Sequence, residues 1–224
     1  MILYNTLMGV SAGLALILIP VLAQAIMQRK PIATEGWALT LGILGSILTF
    51  LGGLMSVTWP LTVNPPINII FGEPNFMLGL LLLAAAIFLW RHKAKDLTDT
   101  NYLKQVFAPV SWLIGTIGLI LLACAFAIVR FNLVGGAPVQ EPITGLLHDY
   151  PVVENTFFAL LYGLSAIATL LAPVVIARPK SKWVRVAGTC MISAGVLFLL
   201  FSIMNYYTHI GLLINLQNNT HIPY

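Results

Sequence analysis

Six long apolar runs separated by short polar connections account for almost the whole chain: Ile2–Met27, Trp37–Thr58, Asn75–Trp90, Val110–Phe131, Val152–Ala177 and Val184–Tyr207. A helix needs about 20 mainly apolar residues to cross roughly 30 Å of hydrocarbon. Each run therefore predicts one membrane-spanning helix, the short third run borrowing from the apolar stretch at 67–71. The fold class that follows is all-α: a polytopic membrane protein of six transmembrane helices in a single integral membrane domain, 1–224. The first run opens almost at Met1 without a basic leader, so a retained helix is expected instead of a cleaved signal peptide, with no soluble domain appended.

Composition agrees. Of 224 residues, 59% are hydrophobic and 8% charged, against roughly 45–50% and about 25% in soluble domains, and the mean hydropathy is +0.94. A soluble globule is excluded. The formal charge of +4 would suggest an anionic partner if it were spread evenly, but it is not. Arg29 and Lys30 follow the first run, Arg91, Lys93, Lys95 and Lys104 the third, and Arg178, Lys180, Lys182 and Arg185 the fifth, leaving only Arg130 for the other side. Such a bias places these connections in the cytoplasm and both termini outside. The charge thus reads as an orientation signal, and nucleic acid is not expected as a partner. Trp37, Trp90, Trp112 and Trp183 stand near the same connections, where an indole settles at headgroup level. Cys124 and Cys190 are isolated, without CxxC spacing, and read as packing residues.

The runs also repeat one another. Gly36-Trp37, Ser111-Trp112 and Lys182-Trp183 open the outward-running helices, each followed by glycine. Asn5-Thr6, Asn75-Phe76 and Asn155-Thr156-Phe157 open the inward-running ones. Three pseudo-repeated helical hairpins are expected, Tyr4–Pro60, Glu73–Val134 and Glu154–Gly211. Small residues four apart, Gly9 with Gly13 and Gly42 with Ser46, are expected to let helix backbones approach closely. The apolar stretches 69–71 and 146–147 are expected to lie in the interface or fold back over the bundle.

Polar chemistry gathers at the outer side. Glu73, Glu141, Asp149 and Glu154 lie there with His148, His209 and His221, and Asn5, Asn75, Asn155 and Asn205 mark outer helix ends. Ser202, Asn205 and His209 are spaced three and four apart and so share a helix face. The candidate ligand-binding residues are Glu73, Asp149, Glu154, Asn75, Asn155, Asn205 and Arg130. His148 and His209 are the candidate metal ligands, since neutral imidazole with carboxylate oxygen suits a divalent ion. There is no HExxH, ExxH or cysteine pair to sharpen this, and acids and asparagines at helix N-termini also cap free N–H groups. For Glu73, Glu154, Asn75 and Asn155 capping is the first expectation. Arg130 at the end of the fourth run is expected to snorkel and pair with an acid. Met8, Met55, Met77 and Met204 also fall towards the outer ends, where gap filling is the expected role.

The start Gly72-Glu73-Pro74-Asn75-Phe76, the basic Arg91-His92-Lys93 and the six-span layout resemble a family of small bacterial and archaeal membrane proteins known as a domain of unknown function. The resemblance covers most of the chain. It implies a prokaryotic plasma membrane and no particular activity, catalytic residue or cofactor.

The leading expectation is an accessory or ligand-binding membrane subunit with a polar extracytoplasmic mouth, open to a metal ion, haem or quinone, and associated with the lipid bilayer, partner subunits or further copies of itself. Two other classes use the same pattern: a membrane-embedded oxidoreductase or hydrolase built on the outer His and carboxylate groups, and a channel or facilitator for a small neutral solute. No Asp, Glu, Lys, Arg or His falls in the middle of any run, which disfavours proton-coupled transport.

Overall fold

A computed structural model describes residues 3–92 and 97–218; Lys93, Lys95 and His221 lie outside the described residues. Among these the regular secondary structure is all helical, without strands. The α-helices are α1 (Leu3–Met27), α2 (Thr34–Thr58), α3 (Pro66–Arg91), α4 (Thr100–Phe131), α5 (Pro151–Leu170), α6 (Ala172–Ala177) and α7 (Lys182–Asn218), with a 3-10 turn at Thr144–Leu147. Helices α5 and α6 form one span broken just ahead of Pro173, whose ring and missing N–H interrupt the ladder. Six helices are then long and apolar enough to cross a membrane. Arg29, Arg91, Lys104 and Arg178 mark one end of the bundle, the basic end. Leu3 and Asn218 lie at the other, the mouth end.

Two boundaries differ from the sequence expectation in ways that matter for the site. Helix α3 starts at Pro66, so the stretch 69–71 is helix and does not lie across the interface. Glu73 and Asn75 consequently sit two turns inside α3 and cap nothing. Proline at the first helical position costs no hydrogen bond, since that N–H has no acceptor in the helix. Helix α7 is longer than its apolar run. Its 37 residues span about 55 Å at 1.5 Å per residue, well beyond the hydrocarbon. The extra turns pack against the long α4–α5 connection, where the Asn215 side chain donates to the Gln140 carbonyl at 2.7 Å. At the basic end, Asp99 caps α4 by accepting from the N–H groups of Asn101 and Tyr102, and His92 reaches the Tyr102 hydroxyl at 3.0 Å.

The closest helix pairs are α2 with α3, α1 with α7 and α4 with α5. Glycine sets each seam. A β-carbon on Gly13 would lie 2.6 Å from the Leu199 nitrogen, and one on Gly195 would lie 2.8 Å from the Gly13 oxygen. On α2 the same role falls to Gly45 and Gly52, facing Gly79 and Gly72. Gly42 meets only the Ala86 methyl at ordinary contact distance, and Ser46 is exposed. Small-residue spacing is thus realised on α1, but on α2 it is realised by a neighbouring face. Gly118 brings α4 against Thr169 and Leu170. Backbone approach of this kind supplies dispersion contacts where lipid gives no hydrophobic drive.

Two apolar clusters result. One joins α1, α2 and α3 through Met8, Leu41, Leu48, Met55 and Leu82; the other joins α4 and α5 through Ile117, Leu121, Ile128, Phe158 and Leu161. Met8 and Met55 are core fillers. Phe71 touches both clusters. Large apolar side chains also cover the outside, among them Phe50 (69% exposed), Phe126 (70%) and Trp112 (72%), as expected of a surface dissolved in lipid.

Candidate functional site

Polar side chains buried in the fold collect at the mouth end. There α1, α3, α5 and α7, with the α2–α3 and α4–α5 connections, border a partly open cavity of about 360 Å³, within the usual range for a small-molecule site. Phe71, Phe158, Phe198 and Phe201 form an aromatic wall, while Asn5, Asn75, Glu141, Glu154, Ser202, Asn205 and His209 bring polar groups. The α7 face predicted from the three-and-four spacing of Ser202, Asn205 and His209 is turned towards this space.

His209 is held at both ring nitrogens. Nδ1 stands 2.9 Å from Thr6 Oγ1 on α1, and Nε2 stands 3.3 Å from Glu141 Oε1. With the Thr6 hydroxyl donating to Nδ1, the Nε2–H donates to the carboxylate, and this fixes the tautomer. Glu141 is 6% exposed. Burial pushes its carboxyl above the ordinary range; the Thr208 hydroxyl opposes the rise, the neighbouring Glu154 adds to it, and the Thr144 hydroxyl opposes it more weakly.

A strained turn positions Glu141. Ile143 has φ 66° and ψ −67°, and the Thr144 N–H donates to the Pro142 carbonyl at 2.8 Å. This is a γ-turn of the rare, positive-φ hand, which a β-branched residue adopts only where its surroundings enforce it. Here Pro142 lies against Gly211 of α7. The turn leaves Glu141 and Thr144 side by side on the cavity.

Glu154 and Asn155 organise the other wall. Glu154 Oε2 accepts the N–H groups of Gly136 at 2.8 Å and Ala137 at 3.2 Å. Asn155 Oδ1 accepts the Val134 N–H at 3.1 Å, and its amide donates to Asn132 Oδ1 and to the Pro151 carbonyl. Both side chains sit in the first turn of α5, but what they satisfy is the preceding loop, not the helix's own N–H groups. Asn75 donates to the Phe71 carbonyl at 2.6 Å. One group is left over: Asn5 Oδ1 is closed off from solvent and has no hydrogen-bond partner.

Of the residues singled out in sequence, the structure brings together Asn75, Glu154, Asn205 and His209 around the cavity. Asn155 holds the loop over it. Glu73, Asp149, His148 and Arg130 are exposed and do not line it. His148 Nδ1 bonds the Ala137 carbonyl at 2.8 Å, and the Arg130 guanidinium lies 5.7 Å from the Phe131 ring centre, so Arg130 stacks on its neighbour. Of the two candidate imidazoles only His209 lines the cavity, and among the described residues no group of three or more His, Cys, Asp or Glu is placed to hold a metal ion. Sequence reasoning placed Glu141 and Asn5 at the same end as the other polar residues but did not choose them. The prolines flanking Glu141 were the available signal, since Pro138 and Pro142 stiffen a connection that must present a side chain.

The fold and its mouth-end cavity define a multi-pass integral membrane protein whose polar interior lies at one end. The chain belongs to the family described as a protein of unknown function (DUF981), whose model matches residues 1–211, a range that includes every cavity residue from Asn5 to His209. No curated protein and no solved structure matches the chain.

Proposed function

We propose that the chain is a ligand-binding membrane subunit whose site is the cavity between α1, α3, α5 and α7, with the basic connections in the cytoplasm and the cavity facing the extracytoplasmic side. The cavity itself carries the reading: a space of about 360 Å³ bordered by the buried side chains of Glu141, Glu154 and Ser202. Buried polar side chains bordering an open space can be met by the polar groups of a bound molecule. Its polar groups come from four helices and two connections, which supports the same reading. Orientation rests on the distribution of lysine and arginine.

Native mass spectrometry of the protein released gently from its own membrane tests this. The wild type should carry a stoichiometric small-molecule mass, alone or within an assembly with partner subunits, and Asn5→Leu should lose it. A bare wild type whose spectrum Asn5→Leu leaves unchanged would overturn the reading.

A further inference from the structure

We infer that this cavity takes a small organic cation, a protonated amine carrying an apolar body; the inference rests on the ligand-site reading above and assigns the ligand's chemical class. Charge is the first argument. Glu141 and Glu154 both line the space, and no lysine or arginine does. Each carboxylate accepts hydrogen bonds from neutral donors: backbone N–H groups for Glu154, which also has the exposed His148 imidazole nearby, and an imidazole with two hydroxyls for Glu141. Neutral donors orient a carboxylate without cancelling its charge, and two such groups withdrawn from water near each other favour a cation between them. Arg130, the basic residue nearest in sequence to the cavity connection, is exposed and stacked on Phe131.

Hydrogen-bond polarity is the second argument. The Glu141 and Glu154 carboxylates on the cavity wall are acceptors, so they are matched by N–H groups on the occupant. An anion would be repelled by the two carboxylates. The aromatic wall is the third. Phe71, Phe158, Phe198 and Phe201 offer π surface that attracts an ammonium and buries an apolar body. Those rings would give a bare metal ion no ligand, which favours an organic cation over an inorganic one.

The test is isothermal calorimetry on the full chain in zwitterionic lipid nanodiscs, with empty discs subtracted. Phenethylammonium is compared with its neutral isostere 2-phenylethanol. The ammonium should bind one per chain and at least tenfold tighter than the alcohol, and Glu154→Gln should erase that preference while leaving alcohol binding unchanged. Glu141→Gln, which keeps an acceptor towards His209, replaces Glu154→Gln if the latter does not fold. Equal affinities for the two probes, a preference that survives both substitutions, or no saturable ammonium binding would each overturn the cationic assignment. The co-purifying mass would still decide separately whether the cavity is a ligand site.

Discussion

The phenolic hydroxyl of Tyr162 on α5 donates a 2.7 Å hydrogen bond to the carbonyl oxygen of Ile70 on α3. That oxygen is the acceptor which Pro74, four residues on and lacking an N–H, leaves without its helical donor. Both residues are buried, so the pairing satisfies two groups that water cannot reach, and it ties α3 to α5 beside the aromatic wall of the cavity. Proline is tolerated inside α3 because another helix supplies the missing donor.

The relationship predicts coupling. Tyr162→Phe should destabilise the protein by about 1–2 kcal/mol, the cost of leaving a buried carbonyl unpaired. Pro74→Ala restores a backbone N–H at position 74, so Tyr162→Phe in that background should cost less than half as much. Denaturant unfolding of the four proteins in detergent measures the cycle. Strictly additive effects would mean that the two positions do not share the Ile70 oxygen.

The seams make a second prediction. A methyl on Gly13 would stand 2.6 Å from the Leu199 nitrogen and 2.9 Å from the Gly195 oxygen, both backbone atoms that cannot swing away. Gly13→Ala should cost about 1–3 kcal/mol by overpacking. Gly163→Ala, where nothing lies within 4 Å, should instead gain up to about 1 kcal/mol from helix propensity. Opposite signs in thermal unfolding are expected. Equal shifts would show that α1 and α7 can separate at no cost.

The six spans were legible because crossing hydrocarbon demands a length of apolar chain that nothing else requires. The start of α3 was not. Gly72-Glu73-Pro74-Asn75 has every local mark of a helix start, and only Tyr162, bonded to Ile70 across 92 positions, shows why the helix runs through it. The site divides in the same way. The shared face of Ser202, Asn205 and His209 follows from helical periodicity. The partnership of His209 with Thr6 spans 203 positions, and that with Glu141 depends on how the α4–α5 connection turns at Ile143. Helical spacing carries no information about either.

Stability should respond to pH through Glu141. Its carboxyl is raised by burial, so the folded state binds its proton more tightly than the unfolded state does. The stability this provides is fully present below the unfolded value and is lost as pH rises through the raised folded one. Glu141→Gln imitates the protonated side chain. It should flatten that part of the pH profile and leave the neutral-pH melting temperature unchanged or higher. Thermal melts from acid to neutral pH test this. A large loss of stability at every pH would show that the ionised carboxylate is a net stabilising partner of His209.

Asn155 should matter far more than the nearby acid that sequence alone marked out. Its amide joins Val134, Asn132 and Pro151, so Asn155→Ala leaves partly buried backbone groups unpaired and should cost about 1–3 kcal/mol. Asp149 is exposed, and Asp149→Ala should stay within about 0.5 kcal/mol. Hydrogen exchange locates the effect: Asn155→Ala should accelerate exchange at Val134, Gly136 and Ala137, the N–H groups held by Asn155 and Glu154. Unchanged protection there would mean that the loop is held from elsewhere.

Orientation is open to a chemical test because the two ends of the bundle differ in reach. Asn101 at the basic end and Val139 at the mouth end are both exposed. With Cys124 and Cys190 replaced by alanine, Asn101→Cys and Val139→Cys each present one thiol. A membrane-impermeant maleimide added to intact cells should label Val139→Cys and reach Asn101→Cys only after permeabilisation. This follows from the cost of moving lysine and arginine across the bilayer, which retains basic connections in the cytoplasm. The reverse pattern would put the cavity on the cytoplasmic side, where its cationic ligand would be drawn from the cell interior.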